Sequence, residues 1–103
     1  LLNAERIALL PKGAIVVNTA RGAVIDDEAL IAALESGHLA AAGLDVFNGE
    51  PTDIHPAYRK LSNVFALPHI GSATRETRDA MGFRALENLD AIVAGGEPRD
   101  RLA

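Results

Sequence analysis

Three short apolar runs, AIVV at 14–17, AAGL at 41–44 and VFAL at 64–67, are separated by stretches that carry helix signals, and this alternation decides the fold class. Each run predicts a buried strand followed by a turn. Strands that alternate with helices form parallel sheets joined by right-handed crossovers. The chain is therefore expected to be an α/β protein. Ligands of open α/β sheets bind beyond the carboxyl ends of the strands. Just past the three runs stand Arg21, Glu50 and His69, so an anion clamp, a carboxylate and an imidazole are all delivered toward one edge.

The intervening segments fill in the pattern. Asn3 is placed to cap a short helix over 4–10, which Pro11 and Gly13 end. The first strand, rich in Ile and Val, is expected to be buried on both faces. Asp26 or Asp27 caps a second helix through Leu30, Ile31, Ala33 and Leu34, with Gly37 as its C′ residue. A second strand over 39–46 leads to a Pro-punctuated loop, 47–63, with one short turn near 57–61. The third strand, 64–67, is closed by Pro68. Ser72 or Thr74 caps a long final helix whose apolar stripe is Met81, Ala85, Leu89, Ile92 and Val93, and Gly95, Gly96 and Pro98 stop it. Three parallel strands make about half a comfortable sheet. The first, at an open edge, invites pairing with another chain.

Composition narrows the function classes. A length of 103 residues allows one small domain. The absence of cysteine excludes disulfides, thiolate metal sites and cysteine nucleophiles. A net charge of -4 without a basic patch argues against nucleic acid as a partner. No stretch approaches membrane-spanning length, and the first residues lack the pattern of a signal peptide, so no membrane and a cytoplasmic location are expected. The chain opens on Leu1, inside a helical signal, which suggests a piece of something larger.

The chemistry rests on few residues. Arg21 precedes Gly22, so its planar fork can reach over the sheet edge while the backbone turns; such a fork fits a carboxylate bidentately. Its ordinary alternative is a surface arginine paired with an acid. His69 follows Pro68 and can exchange a proton near neutrality in a carbonyl/alcohol interconversion, or can merely cap the final helix. Glu50 is its candidate partner, since a carboxylate against imidazole fixes the tautomer. Otherwise Glu50 is a solvated loop acid. Asp45, at the end of the second strand, could accept from a ligand amide or cap nearby backbone. Gly71 and Ser72 precede a helix N-terminus, where free N–H groups attract acceptors. His38 and His55 lie outside strand ends. The three histidines have no metal-ligand spacing, so no metal is expected. The nine glycines form no G-x-G-x-x-G, so a pyrophosphate grip is not present.

Taken together, the segments LPKGA at 10–14, VNTARG at 17–22, VIDDEAL at 24–30, AGLDVF at 42–47, EP at 50–51, NV at 63–64 and LPHIGSAT at 67–74 resemble the D-isomer-specific 2-hydroxyacid dehydrogenases. The IGSAT stretch at 70–74 is most similar to the glyoxylate and hydroxypyruvate reductase branch. The resemblance implies the C-terminal half of a Rossmann-type parallel sheet with flanking helices, over 1–73, and a long return helix toward a missing substrate domain, over 74–103. It implies hydride transfer between NAD or NADP and a small 2-oxo or 2-hydroxy acid. Arg21, Glu50 and His69 match the family's catalytic residues, and Thr19, Ala20, Asp45 and Gly71 match positions around the nicotinamide. A homodimer is also implied. Because the cofactor grip lies upstream in this family, the segment alone is expected to be inactive. Its other expected behaviour is that of a silent chain that self-associates through the exposed sheet edge.

Overall fold

Residues 1–102 are described by a computed structural model. The elements run α1 (Ala4–Ala8), β1 (Ala14–Asn18), α2 (Asp27–Glu35), β2 (Leu39–Leu44), β3 (Val64–Ala66) and α3 (Arg75–Val93), with 3₁₀ turns at Gly22–Val24 and Pro56–Arg59. The strands form one sheet in the order β1-β2-β3, both pairs parallel. This is the parallel α/β sheet expected from the alternating runs, and the Rossmann-type half-sheet that the resemblance implies. The chain separates into two units, Leu1–Gly71 and a second that begins at Ser72.

Local chemistry explains the boundaries in the first unit. The Asn3 side chain accepts from Arg6 N at 3.1 Å and starts α1. The helix stops at Ala8, short of residue 10, and Gly13 turns the chain at φ 84. Of the two candidate caps for α2, Asp26 takes the role, accepting from Ala29 N at 2.9 Å. Asp27 and Glu28 follow in the first turn, where acids suit the helix dipole. Gly37 ends α2 at φ 71, a left-handed conformation that glycine adopts without cost.

Burial corrects one expectation. Val16 and Asn18 of β1 point inward, but Ile15 and Val17 stay 67% and 70% exposed. The core joins Ile7 of α1, Leu30, Ile31 and Leu34 of α2, and Val16, Leu39, Ala42 and Leu44 from a single face of the sheet. The opposite face presents Ile15, Val17 and Phe65, and the pairing of Val17 with Gly43 and of Gly43 with Phe65 sets the last two in one row. Strand β1 lies at the sheet edge, as expected, with one side of its backbone ladder unpaired.

Strands β2 and β3 end earlier than the expected 39–46 and 64–67. Strand β2 stops at Leu44 because Asp45 turns away after its N–H donates to Asn18 O at 3.0 Å. Strand β3 stops at Ala66, and Leu67 N donates back to Leu44 O at 2.8 Å before Pro68, which has no N–H to give. The second unit is α3 with its C-terminal turn. Thr74, the second of the two candidate caps, accepts from Thr77 N at 3.2 Å. Asn88 Nδ2 donates to Asp100 Oδ2 at 2.9 Å, which ties the turn back to the helix. No residue of α3 is buried, so its apolar stripe is exposed. Among the described residues no helix is long and apolar enough to cross a membrane.

Candidate active site

The three strand-end loops are built differently, and each delivers one of the polar residues picked out in the sequence. After β1, the buried Asn18 folds its side chain into the turn: Oδ1 accepts from Ala20 N at 3.1 Å and Nδ2 donates to Arg21 O at 3.0 Å. This Asx-type turn replaces backbone pairing that the strand has just lost. Thr19 and Ala20 are exposed at its tip. Arg21 leaves the turn in an extended conformation, donates from a guanidinium nitrogen to Ala20 O at 2.6 Å, and forms no salt bridge among the described residues.

Gly22 is buried directly against the loop that follows β2. A Cβ there would lie 2.1 Å from Phe47 C and 2.3 Å from Asn48 N. Only a residue without a side chain lets the two backbones meet so closely. The loop after β2 then reaches Glu50. Asn48 Nδ2 donates to Ile25 O at 3.2 Å and to Asp27 Oδ2 at 2.9 Å. Tyr58, farther along, donates its hydroxyl to Asp27 Oδ1 at 2.6 Å and packs edge-on against Phe47.

After β3 the backbone does something unusual. His69 has φ 56, which makes it the one non-glycine residue at positive φ among the described residues. Such a conformation costs on the order of 1–3 kcal/mol and survives only where the surroundings impose it. Asp45 supplies the restraint. Its carboxylate, in a residue only 5% exposed, accepts from Ile70 N and from Gly71 N, each at 2.8 Å. Held by the two residues after it, His69 turns its ring to Glu50, and Nδ1 meets Glu50 Oε1 at 3.0 Å. That pairing assigns the proton to Nδ1 and leaves Nε2 with no protein partner among the described residues.

Arg21, Glu50 and His69 line one cavity of about 570 Å³, walled by Phe47, Pro51, Ile54, Leu67 and Pro68. A mostly apolar cavity with a few convergent polar groups is the common form of a small-molecule site. Asp45 stands outside this lining, with both carboxylate oxygens engaged by backbone. A Cβ on Gly71 would come 3.0 Å from Asp45 Oδ2, a tight contact to which the carboxylate would have to yield by a few tenths of an ångström. Among the described residues no three acidic, histidine or cysteine side chains are grouped to hold a metal.

The D-isomer specific 2-hydroxyacid dehydrogenase NAD-binding domain, as a family model, matches residues 1–71. The chain belongs to this family. Its match ends where the first structural unit ends. Among relatives, the glycerate dehydrogenase of Hyphomicrobium methylovorum is 50% identical over 98% of this chain and 31% of its own length. Glyoxylate/hydroxypyruvate reductase B of Erwinia tasmaniensis is 50% identical over 92% of this chain and 30% of its own. The crystal structure of an NADPH-dependent glyoxylate/hydroxypyruvate reductase from Sinorhizobium meliloti, in complex with NADP and malonate, superposes with a TM-score of 0.88 at 38% identity. It covers 99% of this chain and 32% of that one. The chain thus spans about a third of the length of the family members it matches.

Sequence reasoning gave no site role to Asn18, Asn48 or Tyr58, and read Gly22 only as the turn after Arg21 and Asp27 only as a candidate helix cap. The Tyr58 phenol carries a testable signature. Burial first, then the hydrogen bond to Asp27, then the negative charges of Asp27, Asp26 and Glu28 push it far above its usual range. Below the ordinary tyrosine value of about 10 both folded and unfolded chains keep this proton. Above it the unfolded chain releases the proton and the folded chain does not, so the folded state binds more protons and stability falls as pH rises. The loss from this group is expected to be about 1.4 kcal/mol per pH unit. Tyr58 is the single tyrosine, so phenolate absorbance reads it directly. It should appear only as the chain unfolds, and Tyr58→Phe should lack this part of the alkaline destabilisation. A folded chain whose tyrosine ionises smoothly near the ordinary value refutes the assignment.

Proposed function

We propose that this chain is the catalytic, C-terminal part of the nucleotide-binding domain of an enzyme that moves a hydride between NAD(P)H and a small 2-oxo or 2-hydroxy acid, with glyoxylate or hydroxypyruvate as the substrate type. One observation carries the reading: Arg21 and the Glu50–His69 pair share the wall of a single cavity at the carboxyl edge of the sheet. The names of the relatives support the substrate type, and the reductase solved with NADP and malonate supports both the cofactor and an acid in such a site.

Each residue has a role that its geometry permits. The Arg21 guanidinium, which forms no salt bridge among the described residues, binds the substrate carboxylate and draws the adjoining carbonyl oxygen toward positive charge. His69 gives a proton from Nε2 to that oxygen during reduction and takes it back during oxidation. Glu50 holds the ring through Nδ1. Thr19, Ala20 and Asp45, just past β1 and β2, and Gly71, held on Asp45, would lie beside a nicotinamide. The buried Asp45 carboxylate holds the Gly71 N–H at 2.8 Å, which fixes this backbone beside the proposed nicotinamide site. When bound, the cofactor supplies the hydride. A homodimer is proposed from the family resemblance alone.

The test uses a full-length enzyme carrying this segment. Arg21→Ala is expected to raise KM for the 2-oxo acid about 10- to 150-fold, the loss of a charged hydrogen-bonded contact of about 1.5–3 kcal/mol. NAD(P)H affinity, read by fluorescence titration, should stay within a factor of two or three of the parent. Unchanged kinetics with 2-oxo acids remove Arg21 from this role.

A further inference from the structure

Glu50 sits in a long connection, yet its carboxylate meets a ring 19 residues away at hydrogen-bond distance. A loop acid has many rotamers, so something must limit where the loop lies. The hydrogen bonds show what does. Asn48, two residues before Glu50, is bound through Nδ2 to Asp27 Oδ2, and Tyr58, eight residues after it, is bound through its hydroxyl to Asp27 Oδ1. One carboxylate therefore grips the loop on both sides of Glu50. Asp27 is not consumed by helix capping, because Asp26 performs that role. Nor does Asp27 line the cavity. Gly22 presses on the same loop from the β1 side, at Phe47 and Asn48, so the loop is held between two elements.

We propose that Asp27 is a positioning residue for the Glu50–His69 pair, its two oxygens holding Asn48 and Tyr58 so that Glu50 Oε1 meets His69 Nδ1. The inference rests on the active-site reading above, since it assigns a purpose to that pair. It adds a residue on α2 that lies outside the cavity lining. The Tyr58 phenol, far above its usual range, keeps its proton and goes on donating through the neutral and mildly alkaline range.

The test reads the ring itself. In a full-length enzyme carrying this segment, with labelled imidazole nitrogens, 15N NMR at alkaline pH reports which nitrogen of His69 carries the proton, with His69→Asn identifying the signals. The parent should show mainly the Nδ1–H form, because only that form donates to Glu50. Glu50→Ala should swing the ring toward Nε2–H. Asp27→Ala and Asn48→Ala should each move the ratio the same way by at least twofold, although Glu50 and His69 are both intact. A merely structural role for Asp27 would lower the melting temperature and leave the ratio of the folded chain unchanged, and that result overturns the proposal. If Asp27→Ala does not fold, Tyr58→Phe decides together with Asn48→Ala. Tyr58→Phe keeps the ring packing and loses only the donation. Parent-like ratios in both overturn the inference. A parent-like ratio in Glu50→Ala fails differently, by removing the pair itself and with it the reading on which the inference rests.

Discussion

Gly22→Ala is expected to cost the first unit the top of the range for overpacking, about 3 kcal/mol, or to prevent it from folding. The added methyl would stand 2.1 Å from Phe47 C, 2.3 Å from Asn48 N and 2.4 Å from Phe47 O. Carbon atoms in good contact lie about 3.5–4 Å apart, so the methyl overlaps its neighbours by more than 1 Å. All three are backbone atoms, and no rotamer change moves them. Relief requires the loop after β2 to shift away from the turn after β1. That shift separates Arg21, next to the glycine, from Glu50, three residues beyond Phe47. The damage is therefore to the fold and to the site at once. Denaturant titration measures it, with an unchanged slope showing that the compactness of the end states is preserved. Gly43→Ala in β2 serves as the control, since a Cβ there meets only Val17 Cγ2 at an ordinary 3.8 Å. A Gly22→Ala chain as stable as that control would mean the two loops are not in contact.

What could be read in advance follows from how far each interaction reaches along the chain. The strands came from apolar runs, and the helix starts came from Asn3, Asp26 and Thr74, each of which bonds to a backbone N–H only three residues on. Such signals are local and sit in the sequence. The site residues were legible as strand-end polar groups and through their family motifs, but their support was not. Asp45 reaches Ile70 and Gly71 across 25 and 26 residues, and it is this reach that restrains His69 in its left-handed conformation. Asp27 reaches Asn48 across 21 residues and Tyr58 across 31. No spacing rule announces pairs at such separations. Asn18 was the exception, because an asparagine ending a strand two residues before a backbone N–H is a known turn former, and that signal was available. The exposed side of β1 was misjudged for a different reason. An Ile/Val-rich run states that a strand suits a two-sided environment, but not which part of a polypeptide covers each face.

Replacing His69, the proposed acid/base, is expected to have the largest effect on activity, and the backbone decides which replacement is informative. His69 stands at φ 56, where alanine would add strain of its own and blur loss of the ring with loss of the loop. Asparagine tolerates the left-handed region, as histidine does. His69→Asn therefore removes the imidazole while letting Ile70 and Gly71 stay on Asp45. In a full-length enzyme carrying this segment, kcat for reduction of a 2-oxo acid should fall about 10²- to 10⁴-fold, the usual contribution of a positioned general acid. Cofactor affinity should not follow, since the ring faces Glu50 and the cavity while the proposed nicotinamide contacts lie on Thr19, Ala20, Asp45 and Gly71. Glu50→Gln should cost less than His69→Asn, because an amide oxygen can still accept from Nδ1 and keep the ring aimed. The order of the two losses is the decisive readout. If His69→Asn retains activity within a few-fold of the parent, the proton comes from elsewhere, and the pairing at 3.0 Å serves only to hold the loops together.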